Sequence, residues 1–456
     1  MPTDLAHLLG TRYAMAWLAN WDMSHLFSLT GVFLSMALAL QLQTAVFPQA
    51  MSPMVIFWPT VGRYYCRSKI EGAECSEERA MNATLQGRVQ RVIDGFVESG
   101  DEIGLQVAAY VNGELVVDTW SGVADEDSGR PVDGETLFTS WSTTKGFVAT
   151  CLHILADRGQ VDYDTTVATY WPEFGVHGKD TVTVREALTH RAGVPQMPAG
   201  VTPEMMTDWD TMCAAIAALK PLWEPGTTVC YHAWTFGWII GELVRRIDGR
   251  PLAQFAREEL CQPLGIEGFY LGLPDAAAGR VASLTEAPAE PETNELALRV
   301  MPPQLTSAAV VNRPDFRRAS IPGGGGIMNA RAIARHYALL AQEGILDGVR
   351  ILSAERCRVI RAFQTASPDA RSGGRRRCAL GYVLGGEAEQ GGDSAMGRGG
   401  SEFGHAGNGG SLGFADPVRK LSFGLTKNRM RWPEPTEEPA YLIAETVRAY
   451  LDGTTA

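Results

Sequence analysis

The 456-residue chain lacks the patterns that mark several large classes of function. Its eight cysteines, at 66, 75, 151, 213, 230, 261, 357 and 378, include no C-x-x-C pair. Several fall in apolar helical stretches, so they read as mostly free thiols rather than zinc ligands. The eight histidines form no H-E-x-x-H or comparable set. A metal enzyme is therefore not expected, and no cofactor is implied. Positive charge is also short. Forty Lys and Arg stand against 52 Asp and Glu, for a net charge of -12, and a nucleic-acid partner is excluded because phosphate binding needs a basic face. The one basic run, Arg375-Arg376-Arg377, lies in a Gly- and Ser-rich stretch and reads as a solvated loop. Four glycines at 323–326 are not followed by G-K-[ST], so they mark a tight passage rather than a phosphate cradle. There are no internal repeats.

Long uncharged runs are equally scarce, with one exception. Residues 26–47 hold no charged side chain, and 22 residues of helix span about 33 Å, enough for a bilayer core of about 30 Å. No basic n-region opens the chain, so a cleaved signal peptide is the poorer reading. Residues 1–60 are expected to form a membrane anchor or a peripheral hydrophobic arm. Residues 61–80 are polar and charged and read as a linker. Arg63, Arg67 and Lys69 after the segment favour a cytoplasmic body at 81–456.

That body opens on a 3.6-residue pattern, Leu85, Val89, Val92, Ile93, Phe96 and Val97, which predicts a helix. Two strand-like runs, 104–111 and 114–121, flank Asn112-Gly113, a strong hairpin signal. Helix patterns dominate from about 160 to 320, at 207–219, 234–247 and 252–260, with a capping box at Thr183-Val184-Arg185-Glu186. Residues 273–303, rich in Pro, Ala and Glu, read as a surface loop, and a helix is predicted over 330–343. Strand signals return at 380–385, 403–407, 411–416 and 421–428, before a closing helix at 441–451. Strands at both ends around a helical middle predict an α/β fold of α+β type. One antiparallel sheet is built from the N- and C-terminal parts and flanked by helices, with a helical lobe inserted.

Lysine is rare, at 69, 145, 179, 220, 420 and 427, and only Lys145 has a serine three residues before it. A helix starting at about Ser142 puts Ser142 and Lys145 on one face, a nucleophile beside its base. Alone, Ser142 reads equally as a helix cap. A rival nucleophile is Ser411, in Gly409-Gly410-Ser411-Leu412-Gly413, which fits G-x-S-x-G. That elbow needs a helix after the serine, whereas the sequence predicts a second strand.

Two further stretches join the first: Glu224-Pro225-Gly226-Thr227 leading to Tyr231-His232-Ala233, and Gly404-His405-Ala406-Gly407-Asn408. With Ser142-Thr143-Thr144-Lys145 they resemble the serine β-lactamase and penicillin-binding-protein superfamily, whose signature is S-x-x-K, Tyr-x-Asn and K-T-G. The resemblance is closest to its family VIII carboxylesterases and covers about residues 85–452. It implies a β-lactamase-like fold and an acyl-Ser142 intermediate, with a proton relay shared by Lys145 and Tyr231. It also implies an oxyanion hole from the backbone N–H groups of Ser142 and Asn408, with His405 and Gly407 on the substrate side. Trp141 reads as packing. The pattern departs at Ala233, where the family has Asn, and at His405, where it has Lys. Both losses weaken a β-lactamase or D,D-peptidase reading and favour a small-molecule ester. Transfer of the acyl group to an alcohol is a close alternative. A non-catalytic membrane-tethered binding module is opposed by the presence of both Lys145 and Tyr231.

Overall fold

The computed structural model describes residues 84–454. The expected arm at 1–60, its uncharged stretch 26–47 and the linker 61–80 lie outside the described residues. Among the described residues no helix is long and apolar enough to cross a membrane.

The first helix, α1 (Leu85–Glu98), starts where the Thr84 hydroxyl accepts the Gly87 N–H at 3.1 Å. It buries Leu85, Val89 and Ile93, one face at four-residue spacing. Strands β1 (Gly104–Val111) and β2 (Glu114–Asp125) follow. Asn112 and Gly113 join them with φ of 52° and 86°, the doubly left-handed turn that the sequence predicts. Next come β3 (Arg130–Pro131), β4 (Phe138–Thr139) and α2 (Thr144–Asp157). The inserted lobe contributes α3 (Trp209–Ala217), α4 (Thr235–Asp248) and β5 (Phe269–Leu271). After β6 (Gly326–Met328) and α5 (Ala330–Ala341), the chain returns through β7 (Val383–Leu384), β8 (Phe403–Ala406), β9 (Leu412–Asp416) and β10 (Leu421–Lys427). It closes with α6 (Pro439–Leu451).

The main sheet has the order β7-β8-β9-β10-β1-β2-β3. Its two halves meet where β1 pairs antiparallel with β10, from Leu105 opposite Lys427 to Val111 opposite Leu421. Alternation along β1 divides the core. Leu105, Val107 and Ala109 cluster with Val89, Ile93, Ile443 and Val447 of α1 and α6, while Ala108 and Tyr110 cluster with Ile333 and Tyr337 of α5. Helices thus cover both faces, and each buried Val, Leu or Ile contributes about 1.5–3 kcal/mol. A second sheet, β4-β6-β5, lies where the N-terminal part meets the inserted lobe. Helix α2 is buried from Thr144 to Ala156 and packs along α4.

Three local expectations change. The α-helix begins at Thr144, and Ser142 sits in the 3-10 turn Trp141–Thr143 that precedes it. The helix predicted over 252–260 is α-helical only at Leu252–Phe255 and continues as a π-helix over Ala256–Cys261. The 273–303 stretch carries short elements, including strand Thr285–Glu286, which pairs with Arg429–Met430, and helix Glu295–Val300, capped by Asn294. Such pieces are too short to show a hydrophobic period.

An ion pair closes the end of the central strand. Lys427 Nζ lies 2.5 Å from Glu102 Oε1, with side chains 2% and 0% exposed. Burial raises the Glu102 carboxyl and lowers the Lys427 ammonium, each against the pull of the other. Removing one partner strands a buried charge, so Lys427→Met is expected to cost about 3–5 kcal/mol in urea unfolding. The double variant Lys427→Met/Glu102→Leu recovers most of it. A cost below about 1 kcal/mol for the single variant would contradict this account.

Candidate active site

The Ser142 turn is set by what precedes it. Strand β4 pairs with β6, and the pairing runs on as Ser140 N–H donates to Gly326 O at 3.0 Å. The chain then reverses at Trp141, whose φ is +48°. A left-handed tryptophan costs on the order of 1–3 kcal/mol, offset by burial of its indole against Trp234, with ring centroids 6.0 Å apart. The Thr144 hydroxyl fastens the turn: it donates to Trp141 O and accepts the Gly326 N–H at 2.9 Å. The serine thus stands on a rigid corner at the head of a buried helix.

Lys145, 0% exposed, meets three oxygens. Its Nζ is 2.8 Å from Ser142 Oγ, 2.6 Å from Ala233 O and 2.6 Å from Gly323 O. A neutral amine has two N–H donors and one lone pair, so two fixed carbonyls leave the lone pair facing Ser142. Burial, and then the Arg376 guanidinium, hold this lysine well below its ordinary value. Ala233, where the family pattern has Asn, contributes its backbone carbonyl instead. The glycine run supplies the other acceptor.

Gly237 and Gly323 make this possible by letting α4 lie against the glycine run. A Cβ on Gly237 would sit 2.1 Å from Gly323 N and 2.3 Å from Pro322 C. Gly237→Ala is therefore expected to push Gly323 O off Lys145 and to lower kcat/KM by roughly 10- to 100-fold, read by steady-state kinetics beside a thermal melt. Wild-type kinetics would refute the cradle.

Tyr231 is buried beside the pair, its hydroxyl facing that of Ser142 and its ring centroid 5.0 Å from Lys145 Nζ. Burial raises its phenol, and the Ser142 hydroxyl and the Arg376 guanidinium act the other way. His190, from the Thr189-His190-Arg191-Ala192-Gly193 stretch, supports it: the rings lie 4.8 Å apart, and His190 O accepts the Cys230 N–H at 3.1 Å.

Strand β8 brings His405 to the same place, its ring 6.0 Å from that of Tyr231. Its Nδ1–H donates to Ala406 O at 2.7 Å, and its buried Nε2 has no partner among the described residues. Burial first, then Lys145, pushes the imidazole down to about 3, so it is neutral and does not replace a lysine's charge. Gly407 follows, and its N–H is used by Ser411 O at 2.7 Å. A side chain at Gly407 would meet Ser140 O at 2.4 Å, so only glycine lets the β8–β9 loop press on the Ser142 turn. Next is Asn408, whose Oδ1 accepts the Trp432 Nε1–H at 3.1 Å. Among the described residues no acceptor takes the backbone N–H of Ser142 or of Asn408.

Ser411 lies in the β8–β9 hairpin, 3% exposed, its hydroxyl donating to Ser140 O at 2.8 Å. It is a tie between the loop and the Ser142 turn.

Two residues at the site have no signal in the sequence. Arg376, from the run that reads as a solvated loop, places its guanidinium carbon 4.6 Å from the Tyr231 ring centroid. Asp369 Oδ2 accepts from Arg376 Nε at 3.0 Å and from Tyr231 N–H at 3.1 Å. The run itself does not distinguish Arg376 from the exposed Arg375.

The beta-lactamase family profile matches residues 89–448. The chain is 36% identical over 346 residues to the esterase/beta-lactamase LipL of Mycobacterium tuberculosis, covering 72% of this chain and 78% of LipL. Among solved structures, a family VIII carboxylesterase superposes with a TM-score of 0.74 at 35% identity, over 80% of this chain and 98% of the other. A penicillin-binding-protein homologue from Caulobacter crescentus gives a TM-score of 0.74 at 33% identity, over 80% and 97%. The chain belongs to the beta-lactamase family, and with it to the serine β-lactamase and penicillin-binding-protein superfamily of serine hydrolases.

Proposed function

We propose that this serine hydrolase is a carboxylesterase that works through a covalent acyl-Ser142. The observation that carries the reading is Lys145 Nζ at 2.8 Å from Ser142 Oγ, with Ala233 O and Gly323 O taking its two N–H groups. Ser142 Oγ attacks the ester carbonyl as its proton passes to the Lys145–Tyr231 pair. The backbone N–H groups of Ser142 and Asn408 receive the oxyanion, typically several kcal/mol of stabilisation for two donors. The carbonyl re-forms, the C–O bond to the alcohol breaks, and the pair returns its proton to the leaving oxygen. Water, deprotonated by the same pair, then releases the acid and restores Ser142.

The esterase names of LipL and of the family VIII structure support an ester as substrate. So does the site, since Ala233 offers no side-chain amide and His405 no charge to a lactam amide and carboxylate. LipL is also named a beta-lactamase, so β-lactam hydrolysis is the second reading. Chain-length series of p-nitrophenyl esters, run beside a chromogenic cephalosporin and with an added alcohol acceptor, test the assignment. Higher kcat/KM on an ester is expected. Preference for the cephalosporin would overturn the ester assignment, and alkyl ester product exceeding free acid would make the protein an acyltransferase.

A further inference from the structure

Tyr231 is faced by charged and titratable groups from several elements. Lys145 Nζ lies 5.0 Å from its ring centroid, the guanidinium carbons of Arg376 and Arg371 lie at 4.6 Å and 6.0 Å, and the rings of His190 and His405 at 4.8 Å and 6.0 Å. His232 stacks on His190 at 5.9 Å, and the Asp369 carboxylate accepts the Tyr231 N–H. Burial keeps His190, His232 and His405 neutral. Two guanidinium cations therefore face the phenol ring, and Arg376 is the nearer at 4.6 Å against 6.0 Å for Arg371, oriented by its Nε–H to Asp369. The strand position where the family pattern has a lysine holds a neutral imidazole, and a guanidinium from another loop stands beside the tyrosine.

We propose that Arg376 is a positioning residue for the Lys145–Tyr231 pair: its fixed charge, set on the ring of Tyr231 by Asp369, keeps the pair one proton short at neutral pH. The inference rests on the acyl-Ser142 reading. Fully protonated, the pair is an ammonium and a phenol with one positive charge. After losing one proton it is neutral overall, as amine and phenol or as ammonium and phenolate, and the two forms titrate as one unit. A nearby positive charge disfavours the charged state whichever partner keeps the remaining proton. Arg376 thereby holds a proton acceptor ready for Ser142.

The test is the pH profile of kcat/KM, normalised to titrated Ser142. Arg376→Gln is expected to move the acid limb up by about one pH unit, a tenfold loss below the limb that fades as pH rises. Arg376→Lys keeps the limb near its wild-type place, and Arg375→Gln at the exposed neighbour leaves it unmoved. Arg376→Met, which retains the aliphatic stem over the ring, repeats the comparison if the Gln variant does not fold. A second arm needs no turnover: 15N-lysine NMR follows the titration of Lys145 Nζ, assigned by the signal missing in Lys145→Arg. Its midpoint rises in Arg376→Gln if the inference holds. An unmoved limb and midpoint, with activity lowered equally at every pH, would overturn it. If no ester acylates wild-type Ser142, the catalytic reading fails, and the Lys145 midpoint still decides the role of Arg376.

Discussion

Ser142→Ala is expected to lower ester turnover by roughly 10⁴- to 10⁶-fold, the scale on which serine hydrolases lose their nucleophile, while Ser411→Ala stays within about tenfold of wild type. Ser411 is buried and Ser142 half-buried near the same turn, and their surroundings separate them. Ser142 Oγ lies 2.8 Å from a lysine nitrogen whose other contacts are two carbonyls, so its proton has somewhere to go. Ser411 Oγ gives its proton to Ser140 O at 2.8 Å and is followed by strand β9, without a helix. Losing that hydroxyl leaves Ser140 O with the Thr143 N–H at 3.2 Å, so Ser411→Ala should cost about 1 kcal/mol of stability. Steady-state kinetics and urea unfolding of both variants read the contrast. Loss of turnover in Ser411→Ala comparable to that in Ser142→Ala would contradict it.

Lys145→Met and Lys145→Arg are each expected to lower kcat/KM by roughly 10²- to 10⁴-fold, the range for a positioned general base. The arginine variant separates base from charge, because a guanidinium keeps its proton throughout the working range. A site that needed only a cation beside Ser142 would tolerate Lys145→Arg, and activity within tenfold of wild type there would remove Lys145 as a base. The lowered value of Lys145 also has a stability consequence. The unfolded chain binds a proton that the folded chain does not, between the depressed folded value and 10.5. Within that window stability rises with pH, and it is lost as pH falls toward the folded value. Lys145→Met removes this slope, which urea unfolding at a series of pH values measures.

Much of the architecture was legible because it rests on local rules. Asn112-Gly113 specifies its hairpin through two left-handed residues, and the strand-like, largely apolar run 104–111 matches a strand buried on both faces. The gathering of Ser142, Lys145 and Tyr231 was foreseen from motif order. The start of α2 was not, because a tryptophan at φ +48° before the serine follows from tertiary packing of its indole, which no propensity anticipates. The acceptors on Lys145 were equally hidden. Ala233 O and Gly323 O are backbone atoms, and the sequence shows only the small residues that let them approach. Arg376 and Asp369 lie within a polar loop whose composition suggests solvent. Their placement depends on Ala370 N–H donating to Val229 O at 2.9 Å, a contact between segments 141 positions apart in the chain.

Peptide mapping by mass spectrometry reads the covalent bond between the acyl group and Ser142. Wild-type protein quenched in acid during turnover of a p-nitrophenyl ester is digested and its peptides weighed. The acyl mass is expected on the peptide that contains Ser142, present in Ser411→Ala and absent in Ser142→Ala. An acyl mass on the Ser411 peptide, or turnover by Ser142→Ala at the wild-type rate, would contradict it.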